Sequence, residues 1–271
     1  MVTPLKRGWR RKPSGTDGNT ATDAVGQAFE NASRMMSGAG FEIGEDVRVV
    51  VDRKLPFMGY TATPQGQKNH TIVVSGMALE SGMVEGLLVH EMSHIYRTVT
   101  KHPSHDQGII SNVLSPIVKK ELNRNFQLQA LHAAVNHIQD LYADDISLEV
   151  FKKNQGKLFP PQQMSEFFLN WLKDEPVQFN DAERDRWTNA SIMFNNAFAL
   201  SNMERHGIPD PEKKAMKLNA RFLTRIHPEV AREFDYLHKL MVGLKEDIGA
   251  PEFKELLTEY LASFLAVVRS I

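Results

Sequence analysis

Two histidines four residues apart, His90 and His94, with a glutamate directly after the first, stand inside a run of helical periodicity: Val89-His90-Glu91-Met92-Ser93-His94-Ile95. This H-E-x-x-H stretch restricts the fold more than any other in the chain. On an α-helix, residues four apart share a face and lie one turn above the other. Met83, Val84, Leu87, Leu88, Met92, Ile95, Tyr96 and Val99 form an apolar stripe on the same helix, and the histidines fall on its flank. The helix must therefore pack on a core while its histidines face a cleft. The spacing suits two imidazole ligands to one zinc ion. Glu91, about 100° round the helix from His90, is placed to act as general base toward a metal-activated water.

Before this helix the period changes twice. Residues 20–39 have a helical pattern, with Val25, Ala28, Phe29, Ala32, Met35 and Met36 on one face. Thr22 or Asp23 is a possible cap at its start, and Gly38 and Gly40 stop it. Val47-Arg48-Val49-Val50-Val51-Asp52 reads as a strand, residues 58–63 as a second and residues 70–75 as a third. The turn residues between them predict a small antiparallel sheet. Ser81 is the expected cap of the H-E-x-x-H helix. His102-Pro103-Ser104-His105-Asp106-Gln107-Gly108 reads as a loop. From there the chain is helical almost to its end, with helices predicted over 117–124, 126–150, 164–173, 183–204, 211–224, 228–245 and 251–270. The last of these presents Phe253, Leu257, Tyr260, Leu261, Phe264, Leu265 and Val268 on one face, as a helix docked in a core does.

The expected fold is α+β and mostly helical, with the sheet packed on the active-site helix and a large helical C-terminal half. Residues 1–19, with Lys6, Arg7, Arg10, Arg11 and Lys12 beside Pro13, Gly15 and Gly18, have the composition of a disordered basic tail. Residues 20–155 would be the catalytic region. Residues 156–271 would be a helical lobe, continuous with that region unless Pro160-Pro161 marks a boundary.

Zinc in a catalytic site normally has three protein ligands and one open position. The chain has no cysteine, so the third ligand must be His, Asp or Glu, and no disulfide framework is possible. Asp140 and Asp144 share a face of one later helix. Asp140 is a candidate third ligand. Asp144 is one turn on and placed to accept a hydrogen bond from the far nitrogen of His90 or His94, which would fix the tautomer of the ligand. His137, one turn before Asp140, is an alternative ligand or a donor to a developing oxyanion. Asp145, His102 and His105 are further alternatives for the ligand, and His102 and His105 otherwise read as surface residues or the rim of the cleft. Tyr142 and Tyr96 are further candidates for the oxyanion donor.

H-E-x-x-H followed by Asp140-Leu141-Tyr142-Ala143-Asp144 resembles the gluzincin zinc peptidases. It is most similar in pattern to the soluble catalytic core of the CAAX prenyl protease family, which has E-x-x-A-D on the later helix. The likeness covers about residues 70–150, and Asp140 stands where the family has Glu. The resemblance implies one Zn2+ per chain, held by His90, His94 and Asp140, with Glu91 catalytic and Asp144 behind the ligands. It also implies peptide-bond hydrolysis, with an extended substrate paired to an edge strand, residues 70–75 here. A metzincin is excluded because Arg97 and Thr100 stand where that pattern requires Gly and His.

Net charge is −1 and no basic cluster follows the first twelve residues, which argues against a nucleic-acid partner. No apolar run reaches the roughly 18 residues of a membrane span, and no apolar leader opens the chain. The expected protein is cytoplasmic and acts on a peptide or protein substrate. A different class remains open: a catalytically silent or single-target regulatory protein on the same scaffold.

Overall fold

A computed structural model describes residues 17–64, 68–154, 161–226 and 228–270. Of the expected basic tail, residues 1–16 lie outside the described residues, as does Pro160 of the possible boundary; residues 17–19 already belong to the first helix. The elements run α1 (Asp17–Gly38), β1 (Asp46–Asp52), β2 (Gly59–Ala62), β3 (Asn69–Ser75), α2 (Gly76–Glu80), α3 (Val84–Val99), α4 (Gln107–Glu121), α5 (Asn125–Lys153), α6 (Pro161–Trp171), α7 (Ala182–His206), α8 (Lys214–Leu223), α9 (Pro228–Val242) and α10 (Ala250–Ser270). The fold is α+β and mostly helical, as the periodicities predict.

The sheet is mixed rather than antiparallel, in the order β1-β3-β2. β3 pairs parallel with β1, Val47 opposite His70 and Val51 opposite Val74, and antiparallel with β2, Tyr60 opposite Val73. Turn residues between strands show where each strand ends but not which neighbour it pairs with. Here residues 53–58 carry the chain past the vacant position beside β1, and β3 then returns between the two earlier strands. Ile72, Val74 and Ser75 of β3 are fully buried, as befits the central strand. β3 is therefore not the edge expected for residues 70–75. The free edge beside α3 belongs to β2, whose outer side carries no strand among the described residues. Gly59 permits the close approach of β2: a Cβ there would stand 2.7 Å from the Val73 carbonyl oxygen and 3.1 Å from Leu87 Cδ2.

Ser75, not Ser81, supplies the serine N-cap of this region. Its hydroxyl accepts from the Ala78 N–H and starts the short α2. Ser81 donates to the Ala78 carbonyl at the other end of α2, and α3 begins at Val84 with Met83 at the N-cap position and no side-chain cap. α4 starts ten residues before the expected 117 because the Asp106 carboxylate caps the Gly108 and Ile109 N–H groups. Pro116 is accommodated inside the helix.

Two apolar cores meet along α5. One gathers α1, the sheet, α3, the C-terminal half of α5 and α6 around Met36, Ile72, Leu88 and Ile95. The other gathers α4, the N-terminal half of α5, α7, α9 and α10 around Leu131, Phe194, Leu237 and Phe264. α7 contributes to both, and each core uses residues from both sides of 155–160. α10 is docked with Phe253, Leu257, Tyr260, Leu261 and Phe264 buried. Among the described residues no helix is long and apolar enough to cross a membrane. α3 lies between α1 and the sheet on one side and α5 on the other, so its histidine flank looks directly at the acidic face of α5.

Candidate metal centre

The i, i+4 geometry of α3 sets the His90 and His94 rings 4.7 Å apart between centroids, at 83° to each other. Their Nε2 atoms approach to 3.1 Å. Asp140 of α5 brings Oδ1 to 3.3 Å from His94 Nε2. Among the described residues these three form the one group of histidine and acidic side chains close enough to share an ion, all three ligand atoms lying within 4.8 Å of one another. Donors 2.0–2.1 Å from zinc at tetrahedral angles stand about 3.3 Å apart. The His90–His94 and His94–Asp140 separations fit that edge length, so these residues could hold zinc.

Asp144, one turn beyond Asp140, brings Oδ1 to 2.9 Å from His90 Nδ1. A carboxylate accepts only, so His90 carries a proton on Nδ1, and Nε2 is the nitrogen it turns toward the cluster. The carboxylate is itself fixed: Oδ2 accepts a 2.9 Å hydrogen bond from the Asn202 amide of α7. Burial opposes a charge on His90, but Asp144, Asp140 and Glu91 outweigh it and raise its pKa to about 10. Burial likewise opposes the charge of Asp140, yet the hydrogen bond to His94 and the fields of His94 and His90 hold its pKa below the ordinary carboxylate value. The pocket is thus built to attract positive charge.

Glu91 is buried beneath β2. Thr61 Oγ1 lies 2.8 Å from Glu91 Oε2 and 3.1 Å from its backbone oxygen. A hydroxyl has one proton, and the shorter contact assigns it to the carboxylate. The same residue of the edge strand therefore holds the acid of the H-E-x-x-H turn.

The remaining candidates separate. His137 is buried and stacked on Phe198 at 5.0 Å, its Nδ1 without a hydrogen-bond partner among the described residues. It stands outside the ligand group, and burial drives its pKa down to about 4. Tyr142 points into the helical core, its ring near Arg97, His102 and Phe253. Tyr96 packs edge-on against Phe41. Asp145 turns away to Arg205 and His206 of α7.

His105 is not a surface residue. Its Nε2 lies 2.8 Å from His94 Nδ1, and it is buried where α3 ends and the chain turns through Pro103–His105. Burial and the nearby His94 and Arg97 hold its pKa well below the usual imidazole range. Pro103 and Gly108 marked a loop, but they could not show that the loop folds back beneath α3. Asn202 was signalled only by being an amide among Phe198, Ala199 and Met203 on a core helix, and Thr61 by nothing local.

The match of a family model to residues 19–266, nearly the whole chain, places this protein in DUF5781, a family of unknown function. No curated protein and no solved structure matches it.

Proposed function

We propose that this chain is a zinc-dependent metallopeptidase of gluzincin type, with one Zn2+ held by His90, His94 and Asp140. The observation that carries the reading is the convergence of His90 Nε2, His94 Nε2 and Asp140 Oδ1, with the Nδ1–H of His90 fixed by Asp144 so that its Nε2 faces the group. Three such atoms packed together need positive charge among them, which protons or a metal ion can supply. Zinc supplies a Lewis acid that acidifies water and polarises a carbonyl.

The chain's own groups then have separate tasks. Glu91, its Oε2 oriented by the Thr61 hydroxyl, takes the proton of the attacking water and delivers it to the leaving amine. Asp144, braced by Asn202, keeps His90 in its ligand tautomer. The free edge of β2, which carries Thr61, offers main-chain donors and acceptors to an extended peptide, and this favours a peptide over a sugar or nucleotide. The absence of cysteine suits a cytoplasmic setting.

The test is zinc content of untagged protein together with turnover of a peptide library, for wild type and Glu91→Gln. Stoichiometric zinc in both, with turnover lost only in the variant, supports the proposal. Wild type without zinc, or Glu91→Gln with full turnover, refutes it. Zinc without turnover in wild type points instead to a silent or single-target protein on the same scaffold.

A further inference from the structure

From Nδ1 of His94 an unbroken line of polar atoms leads away from the ligand group. His94 Nδ1 to His105 Nε2 is 2.8 Å, His105 Nδ1 to Ser104 Oγ is 2.8 Å, and Ser104 Oγ to His102 Nδ1 is 2.7 Å. His102 Nε2 then meets the backbone carbonyl oxygen of Glu246 at 3.1 Å. Every internal member of this line can donate or accept, so with a cation on His94 Nε2 its direction is set by the carbonyl at the far end. A carbonyl oxygen only accepts, so His102 must carry its proton on Nε2. An independent contact agrees, since the Ser104 backbone N–H points at His102 Nδ1 from 3.3 Å and requires a bare nitrogen there.

The remaining protons follow in order. Ser104 donates its hydroxyl proton to His102 Nδ1 and accepts from His105 Nδ1–H. His105 Nε2 is then bare and accepts from His94 Nδ1–H, which makes the Nε2 of His94, beside Asp140 and His90, the nitrogen whose proton a cation would replace. Reversing the line would set a bare His102 nitrogen against the Glu246 carbonyl. The terminal acceptor is itself anchored. The Glu246 carboxylate is clasped by both terminal nitrogens of Arg97, a residue of α3, and Arg97 Nε donates to the Tyr142 carbonyl at 2.9 Å.

We propose that His105, Ser104 and His102 form a directional chain, fixed by the Glu246 carbonyl, that holds His94 in the tautomer able to bind a cation, with His105 as the positioning residue. The proposal rests on the metal reading above. It makes the two histidine ligands unequal: His90 leans on a carboxylate and His94 on a neutral imidazole. It also ties the metal centre to the segment between α9 and α10, which contributes no ligand.

Two measurements test this. Long-range proton–nitrogen NMR of the wild-type protein, zinc-free and zinc-loaded, reads each tautomer directly. His105 is expected with its proton on Nδ1 and His102 with its proton on Nε2. Zinc affinity by chelator competition is then compared for His105→Phe, His105→Gln and Ser104→Ala, with melting of the zinc-free proteins as a control for folding. His105→Phe is expected to bind about 10- to 100-fold more weakly. His105→Gln, whose side-chain oxygen can accept from His94, should recover much of the loss, and Ser104→Ala should lose less than His105→Phe although it touches no ligand. A proton on Nε2 of His105, or His105→Phe with wild-type affinity, overturns the proposal. Wild type that binds no zinc overturns the metal reading instead.

Discussion

His90 Nδ1 and Asp144 Oδ1 lie 2.9 Å apart across the interface of α3 and α5, and the second oxygen of that carboxylate is held by Asn202 of α7. Three helices are therefore needed to fix one imidazole. Asp144→Ala removes the acceptor and frees His90 to change tautomer or rotate. Zinc affinity should fall about 10- to 100-fold, as is usual when the group behind a ligand is lost. Asn202→Ala, one bond further out, should cost less. Chelator competition measures both, and an unchanged affinity in Asp144→Ala would remove Asp144 from the site.

Thr61 of the edge strand contacts Glu91 through a hydroxyl that a conservative change can delete. Thr61→Val keeps the shape and removes the hydroxyl proton, leaving the carboxylate free to turn. Zinc content should be unchanged while kcat falls about 10- to 100-fold, the scale expected when a catalytic group loses its orientation. Steady-state kinetics beside metal analysis separate the two effects. Loss of zinc in this variant would mean that Thr61 supports the fold of α3 and not the orientation of Glu91.

Asp140 tests the ligand set itself. Its Oδ1 already stands at a tetrahedral edge length from His94 Nε2. Asp140→Glu adds one methylene, roughly 1.5 Å of reach, and the longer arm must fold back to recover that position. Zinc should bind more weakly to Asp140→Glu than to wild type, and more weakly still to Asp140→Ala. Full zinc in Asp140→Ala would move the third ligand elsewhere, although His137 would first have to leave its stack on Phe198.

What could be read from the sequence is what short-range geometry determines. Val25, Ala28, Ala32 and Met36 share a buried face on α1 because helical spacing puts them there, and α10 is docked along Phe253, Leu257, Tyr260 and Phe264 for the same reason. His90 with His94, and Asp140 with Asp144, are each one turn apart, so each pair was legible within its helix. Their meeting across α3 and α5 needed only that both polar flanks avoid the cores. Thr61 and Asn202 were not legible as site residues, and His105 was read as an alternative ligand or a rim residue rather than as the group behind His94, because long-range packing delivers them: a strand inserted out of order, a distant helix, and a turn that doubles back under α3. The parallel pairing of β1 with β3 was hidden for the same reason, since the turn residues around the second strand show where strands end and not the side to which the chain returns.

Asp145 shows the opposite face of α5 serving stability. It is hydrogen-bonded by Arg205 and pairs with His206, and these two neighbours hold its pKa below the ordinary carboxylate value against the opposing effect of burial. Its contribution is complete above about pH 5 and is lost as pH falls through the lowered folded value. Asp145→Asn should therefore destabilise by about 3 kcal/mol near neutrality, the low end for breaking a buried pair, because Arg205 keeps its bonds to the Met241, Val242 and Leu244 carbonyls. The gap between wild type and variant should narrow below about pH 4. Denaturant melts across pH measure it, and a gap that widens in acid would contradict the assignment.

Tyr142 separates a residue beside the motif from a residue in the chemistry. It follows Asp140 by two positions, yet its ring lies against Arg97, His102 and Phe253, and its buried hydroxyl has no hydrogen-bond partner among the described residues. A hydroxyl so placed is desolvated without compensation, so removing it should be neutral or stabilising by about 1 kcal/mol. Tyr142→Phe should keep wild-type turnover and zinc content, with a melting temperature equal to or above that of wild type. An oxyanion donor would behave differently: kcat would fall while the fold and the zinc remained. Kinetics and melting on this single variant decide between the two, and a drop in kcat with the melting temperature unchanged would return Tyr142 to the active site.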